Sequence, residues 1–538
     1  HAWQAAGWFS AAQISLWRGD DATALEEVDK ALVAGWHNHK ARALKALLLR
    51  RLGHDVSTFA AESLAIDPLN AGILYAQGYT DALQAMLRGE SHNYDELALD
   101  YLAAGLFDDA LAIWNLAVKT HAVTAMTTYY RCWTLLMAGR TLEAQALLAA
   151  DEPRFALGTV FPNRLEAIVA LQTVDTLSTV TARSWQRGYL LGNIWYDKRQ
   201  YDLAGDCWRR ALALDTDAAC PILDRNLALL SYNKLHDAQA AEQYMQSACR
   251  KAPADSRLFM EYDQLLRRLG YTPAARLARF EAYPDVVVRR DDLVLEKATL
   301  LNLLGRHEEA AALIAARQFH PWEGGEGKVS TQYRLARLAM ARQLLQPSSS
   351  SQQPSSSSVT ATDLARALRL LEECLTYPAN LGEGKLIGAQ DNDVYYYLGC
   401  AYHQQGDESS AQAAWRRGTQ GPTEPAAALY YNDAQPDKIY FAALCYRALG
   451  DEPQAQSLFH KLIAYGEAHL TDHITMDYFA VSLPDLLVWD GDLDRQNRFH
   501  CHYLQTLGYT GLGSLPQAHH HRTEALRLDP YHQGLSLL

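Results

Sequence analysis

Residues 189–215 read YLLGNIWYDKRQYDLAGDCWRRALALD. Apolar residues recur at helical spacing on both sides of the polar stretch KRQYD, so the segment is expected to be two helices joined by a tight turn. Leu191-Gly192, Trp195, Ala204, Trp208 and Ala211 set the frame of this hairpin. Small residues let the two helices cross closely, and the large rings fill the space beside them.

The same frame returns at 397–418, YLGCAYHQQGDESSAQAAWRRG, through Leu398-Gly399, Tyr402, Ala411 and Trp415. Weaker copies are Ala24, Val28 and Ala31; Ala110, Trp114 and Ala117; Ala310 and Ile314; and Ala455 and Phe459. IDP at 66–68 and LDP at 528–530 place a proline where one unit closes and the next opens. Turns such as RGDD, AGLFDD, KRQYD, LGRHEE and LGDEP release one helix, with an acidic residue expected to cap the next. This spacing resembles the tetratricopeptide (TPR) signature, at about a dozen repeats of about 34 residues. The resemblance implies an all-α fold, a TPR-type α-solenoid in which antiparallel helix pairs wind into a right-handed superhelix with a concave groove. Trp114, Trp195, Trp208 and Trp415 then read as core.

A chain of 538 residues exceeds one compact core, and a repetitive array accommodates that length. Forty-nine Lys and Arg against 62 Asp and Glu give a net charge of −13, scattered without a basic patch. That balance argues against nucleic acid and anionic membrane surfaces as partners. There is no apolar run of membrane-spanning length, and the first residue, His1, suggests a processed or excised piece. Eight dispersed cysteines without a C-x-x-C pair read as reduced core thiols in a cytoplasmic protein.

The connections divide the chain into an N-terminal array, 1–317, and a C-terminal array, 318–538. The Ser/Gln/Pro stretch at 346–359 reads as a disordered loop inside one repeat. After residue 317 four connections become long: 318–331, 377–393, 421–438 and 466–498. All join the second helix of one repeat to the first of the next, so stacking at about 10 Å should gather them on one edge. The first carries FHPWEGGEGKV (319–329) and the second NLGEGKL (380–386), which repeat Gly-Glu-Gly-Lys. The expected polar site comprises Trp322, Glu323, Glu326, Lys328, Glu383, Lys385, Asp391, Asn392, Asp393, Tyr431, Asn432, Asp433, Gln435 and Asp477. Polar groups beside aromatic faces suit a polar ligand, including a sugar ring.

Neither Gly-Glu-Gly-Lys has phosphate-loop spacing or follows a strand, which argues against a nucleotide. Glu323, Glu326 and Glu383 are candidate acid–base carboxylates, provided two of them stand about 5 to 10 Å apart. A plainer reading stays open, in which the glycines permit tight turns and the Glu and Lys pair locally or face solvent. His469, Asp472, His473 and Asp477 have helical spacing, but their ordinary surroundings lead us to expect no metal ligands and no cofactor. HHHR at 519–522 reads as a solvated helix face.

The motifs HPWEGGEGKV, NLGEGKLIGAQDND, YYNDAQPDK and DYFAVSLPDLLVWDGDL also resemble the C-terminal TPR region of uncharacterised bacterial proteins. Those proteins begin with a β-rich domain similar to mutarotase and glycosidase sandwiches. That likeness covers about the last 220 residues and implies carbohydrate as the ligand class. Two functions follow. One is a scaffold that docks a protein domain, a peptide or a glycan; the other is a carbohydrate-active enzyme using the loop carboxylates alone or with a β-rich domain.

Overall fold

The computed structural model describes residues 2–150, 159–177, 184–214, 220–322, 324–346, 359–386, 388–428, 433, 435–475 and 488–536. Every regular element among them is helical. Neighbouring helices pair antiparallel, as the repeat requires: Ser91–Ala103 with Phe107–Lys119, Trp185–Asp197 with Tyr201–Leu214, and Asn392–Gln405 with Glu408–Gly418. The protein is an all-α, TPR-type array of helix pairs. None of the described helices is long and apolar enough to cross a membrane.

The repeat frame is the core. Ala24, Val28, Ala31, Ala110, Trp114, Ala117, Ala310, Ile314, Ala455 and Phe459 are all fully buried. The Leu-Gly pairs have a steric reason. A Cβ built on Gly192 would lie 2.3 Å from Trp208 Nε1, and one on Gly399 would lie 2.2 Å from Trp415 Nε1. Each indole then donates to a carbonyl of the facing helix, Trp208 to Tyr189 O at 3.3 Å and Trp415 to Tyr396 O at 3.2 Å. Of the four tryptophans expected in the core, Trp195 is only half-buried, while the other three are buried.

The caps follow the expectation in part. Asp20 accepts from Thr23 N and Asp451 from Gln454 N. At AGLFDD and LGRHEE, Leu106 and Arg306 occupy the cap position without a side-chain bond, and the acidic residues lie inside the first turn. There they complement the positive end of the helix dipole instead.

The chain forms two compact units, His1–Leu227 and Ala228–Leu538. The change in connection length at 317/318 falls inside the second unit, between the His307–Ala315 and Lys328–Leu345 helices. The helices flanking the Ser-rich stretch, Lys328–Leu345 and Ala361–Glu373, pack together, while 347–358 lies outside the described residues. All eight cysteines are free thiols, six buried and two half-buried.

HHHR is not uniformly solvated. His519 and His520 are exposed, but His521 turns inward, with its Nδ1 3.0 Å from His502 Nδ1 and its ring stacked on Tyr509 at 5.5 Å. Burial, with His502 and His520 nearby, pushes the His521 pKa down to about 4, against some support from Glu524. A depressed histidine binds fewer protons folded than unfolded, so its stabilisation is complete above about pH 6.5 and is lost as pH falls toward 4. Thermal melts should therefore show a smaller drop in Tm between pH 7 and pH 4.5 for His521→Gln than for the wild type.

Candidate functional site

The first two long connections are fastened to each other. Asn380 Nδ2 donates to Ile314 O and Arg317 O, both at 3.0 Å, and so closes the end of the His307–Ala315 helix. Phe319 is buried, and its N–H donates to Asn380 O at 2.8 Å. Gly382 has φ +75, and an added Cβ would fall 2.4 Å from Phe319 O, so no other residue fits this approach. Trp322 does not stand free as an aromatic wall. It packs half-buried against the core, and a Cβ on Gly325 would meet its indole at 2.2 Å.

The two Gly-Glu-Gly-Lys stretches touch. Gly327, with φ +71, opens the Lys328–Leu345 helix. Its N–H donates to Glu383 Oε2 at 2.8 Å, and Ser330 N–H donates to Glu383 Oε1 at 2.8 Å. Glu383 is thus a cap supplied by one connection to the helix begun by the other. Charge and geometry agree, because a carboxylate at a helix start meets both the free amides and the positive dipole end.

Beyond Glu383 lies a network of opposed charges. Lys385 Nζ donates to Leu375 O at 2.9 Å and to Asp391 Oδ2 at 2.6 Å. Arg334 Nη2 lies 3.4 Å from Asp391 Oδ1 and 3.0 Å from Asp393 Oδ1, while Lys438 pairs with the other oxygen of Asp393. Burial pushes the Asp393 carboxyl up, but Lys438 and Arg334 outweigh it and hold the pKa below the usual carboxylate range. Burial likewise opposes the charge on Arg334, and Asp393 and Asp391 restore it. Asn392 closes the end of the Glu408–Gly418 helix just before the third connection, donating to Gly418 O at 2.9 Å and Gln420 O at 2.8 Å. Arg334 Nε, Gln390 Oε1 and Asp391 Oδ1 are buried without a hydrogen-bond partner among the described residues.

Of the expected site residues, Trp322, Glu383, Lys385, Asp391, Asn392 and Asp393 therefore take part in contacts within and between the connections. Glu326 and Lys328 are exposed, Gln435 Nε2 donates to Asp433 O at 3.2 Å, and Glu323, Tyr431, Asn432 and Asp477 lie outside the described residues. His469 pairs with Asp472 at 2.7 Å and His473 with Asp494 at 2.9 Å, as two separate contacts. Arg334 was not legible as a site residue, because it sits on a helix at a position like any other cation, and Lys438, the last residue of the third connection, was not singled out there. Only the tertiary fold brings them to Asp393.

Residues 488–490 of the fourth connection pack elsewhere. Val488, Trp489 and Asp490 lie against the helices ending at Asn233 and at Arg268, and Trp489 is 1% exposed among Ala228, Met245, Tyr262 and Leu265. Nothing in the composition of 466–498 distinguishes this tryptophan from one facing solvent.

No protein-family model matches the chain. Among solved structures, it is similar to the TPR domain of P58(IPK), at 13% identity over 83% of this chain and 98% of that one, with a TM-score of 0.19. It is similar to yeast Tom70 at 16% identity over 76% of this chain and 92% of that one, with a TM-score of 0.24. Human IFIT1, solved as a dimer with m7Gppp-AAAA, gives 12% identity over 82% of this chain and 90% of that one, with a TM-score of 0.26. Likenesses this distant carry no partner or ligand across to this chain.

Proposed function

We propose that this protein is a binding module, and that the edge built by its first three long connections docks a protein partner. The observation that carries this reading is the state of the carboxylates. Glu383 spends both oxygens on helix amides, and Asp391 and Asp393 are held by Lys385, Arg334 and Lys438. Groups fixed in this way stiffen a surface; an acid–base pair needs one carboxyl kept protonated and both open to substrate. What the edge leaves outward is Leu386, 56% exposed, with the exposed Glu326. An apolar side chain held on a rigid polar rim is the usual make-up of an interface anchor.

The test is affinity capture followed by titration of the captured partner. Leu386→Asp combined with Glu326→Lys should weaken binding roughly tenfold or more. Leu142→Asp, on an exposed position of the first unit, should leave it unchanged. A parallel screen on aryl glycosides weighs the carbohydrate reading: turnover abolished by Glu326→Gln would sink the binding proposal.

A further inference from the structure

The face formed by the ends of the Pro221–Asn233 and Ser256–Arg268 helices holds Val488–Asp490 in an unusual manner for a loop against a wall. Asn233 reads the segment's main chain with both ends of its amide, donating to Val488 O at 2.8 Å and accepting from Asp490 N at 2.9 Å. Arg268 donates to Trp489 O and to Asp490 O, each at 2.9 Å. Two side chains thus satisfy four main-chain groups of three consecutive residues. The remaining contacts select sequence. The Trp489 indole enters an apolar pocket edged by Tyr232 at 5.5 Å and donates to Glu261 O at 2.8 Å, and Lys234 pairs with Asp490 at 2.9 Å.

Side chains that bind main-chain groups hold a segment by its backbone whatever chain it belongs to. We propose that this face is a peptide receptor for a segment in which tryptophan is followed by aspartate, and that Val488–Asp490 occupies it in cis. A partner segment of the same chemistry binds here by displacing the chain's own. The site lies apart from the loop edge and does not depend on the reading given to that edge. The tether makes the cis segment a strong competitor, since a linked ligand acts at an effective concentration near millimolar.

The experiment uses a fluorescein-labelled peptide of residues 488–494, VWDGDLD, titrated with the full chain and followed by anisotropy. Trp489→Ala should empty the pocket and bind the peptide about tenfold or more tighter than the wild type does. The same peptide with alanine for tryptophan should not bind, and Asn233→Ala added to Trp489→Ala should abolish binding. Should Trp489→Ala prevent folding, Asp490→Arg serves instead, because it sets a cation against Lys234 and loosens the segment without altering the pocket. Folded Trp489→Ala or Asp490→Arg protein that gains no affinity for the peptide overturns the proposal. So does binding that persists after Asn233→Ala.

Discussion

Asp393→Ala is expected to destabilise the second unit by about 3–5 kcal/mol, read as a lower urea midpoint at constant slope. The residue is 5% exposed, and its removal leaves the largely buried Arg334 and Lys438 only their longer contacts, to Asp391 at 3.4 Å and to Asp437 at 3.3 Å. A buried pair is weak support for stability, yet breaking one is costly, since the surviving charge keeps its desolvation penalty without compensation. Replacing the whole set, with Asp393→Leu, Arg334→Met and Lys438→Met together, should recover most of the loss. The pH dependence has a definite sign. A carboxyl held below its unfolded value stabilises the fold above about pH 4 and loses that effect as pH falls further. The gap between wild type and Asp393→Ala should stay constant from pH 7 to about 4.5 and narrow below that.

Gly399→Ala is expected to cost about 2–3 kcal/mol, although alanine is the better helix former by about 1 kcal/mol. The methyl would sit 2.2 Å from Trp415 Nε1 and 2.4 Å from Cδ1, so the indole or the helix must move. Gly192→Ala repeats the experiment in the first unit against Trp208. Gly7→Ala supplies the opposite outcome, since no atom lies within 4 Å of the added carbon, and should stabilise the Ala2–Trp17 helix by up to about 1 kcal/mol. Combining Gly399→Ala with Trp415→Leu should return much of the loss. Thermal unfolding of the four variants measures all of these. If Gly399→Ala matched Gly7→Ala in sign, the close approach would not be what selects glycine there.

The contrast between these two predictions matches what was legible in the sequence. Leu-Gly and the tryptophan that follows it belong to one helix pair, so their spacing along the chain translates directly into a crossing. The helices and the buried face of each repeat were readable for that reason. The connections were readable only as an unusual concentration of polar residues. Glu383 finds its partners at Gly327 and Ser330, more than fifty residues away, and nothing about a Gly-Glu-Gly-Lys stretch says that one copy will cap the helix begun by the other. The plainer reading, turn glycines with locally paired charges, describes Gly327, Gly382 and Lys385, which pairs with Asp391, but not Glu383. Arg334 and Trp489 escaped notice because their roles depend on residues brought from distant helices.

Trp489 also alters how the second unit should come apart. In a helix-pair array, where each repeat touches only its neighbours, terminal repeats fray one at a time and each adds its own increment of stability. Here the indole reaches a carbonyl 228 residues earlier in the chain, and Gln332 bonds to Gln533 across 201 residues. Losing the segment that precedes the last helix pair therefore uncovers Ala228, Met245 and Tyr262 near the start of the unit. The unit acquires the cooperativity of a globular domain, unfolding in one transition, and its folding must wait for a loop closure far longer than any repeat.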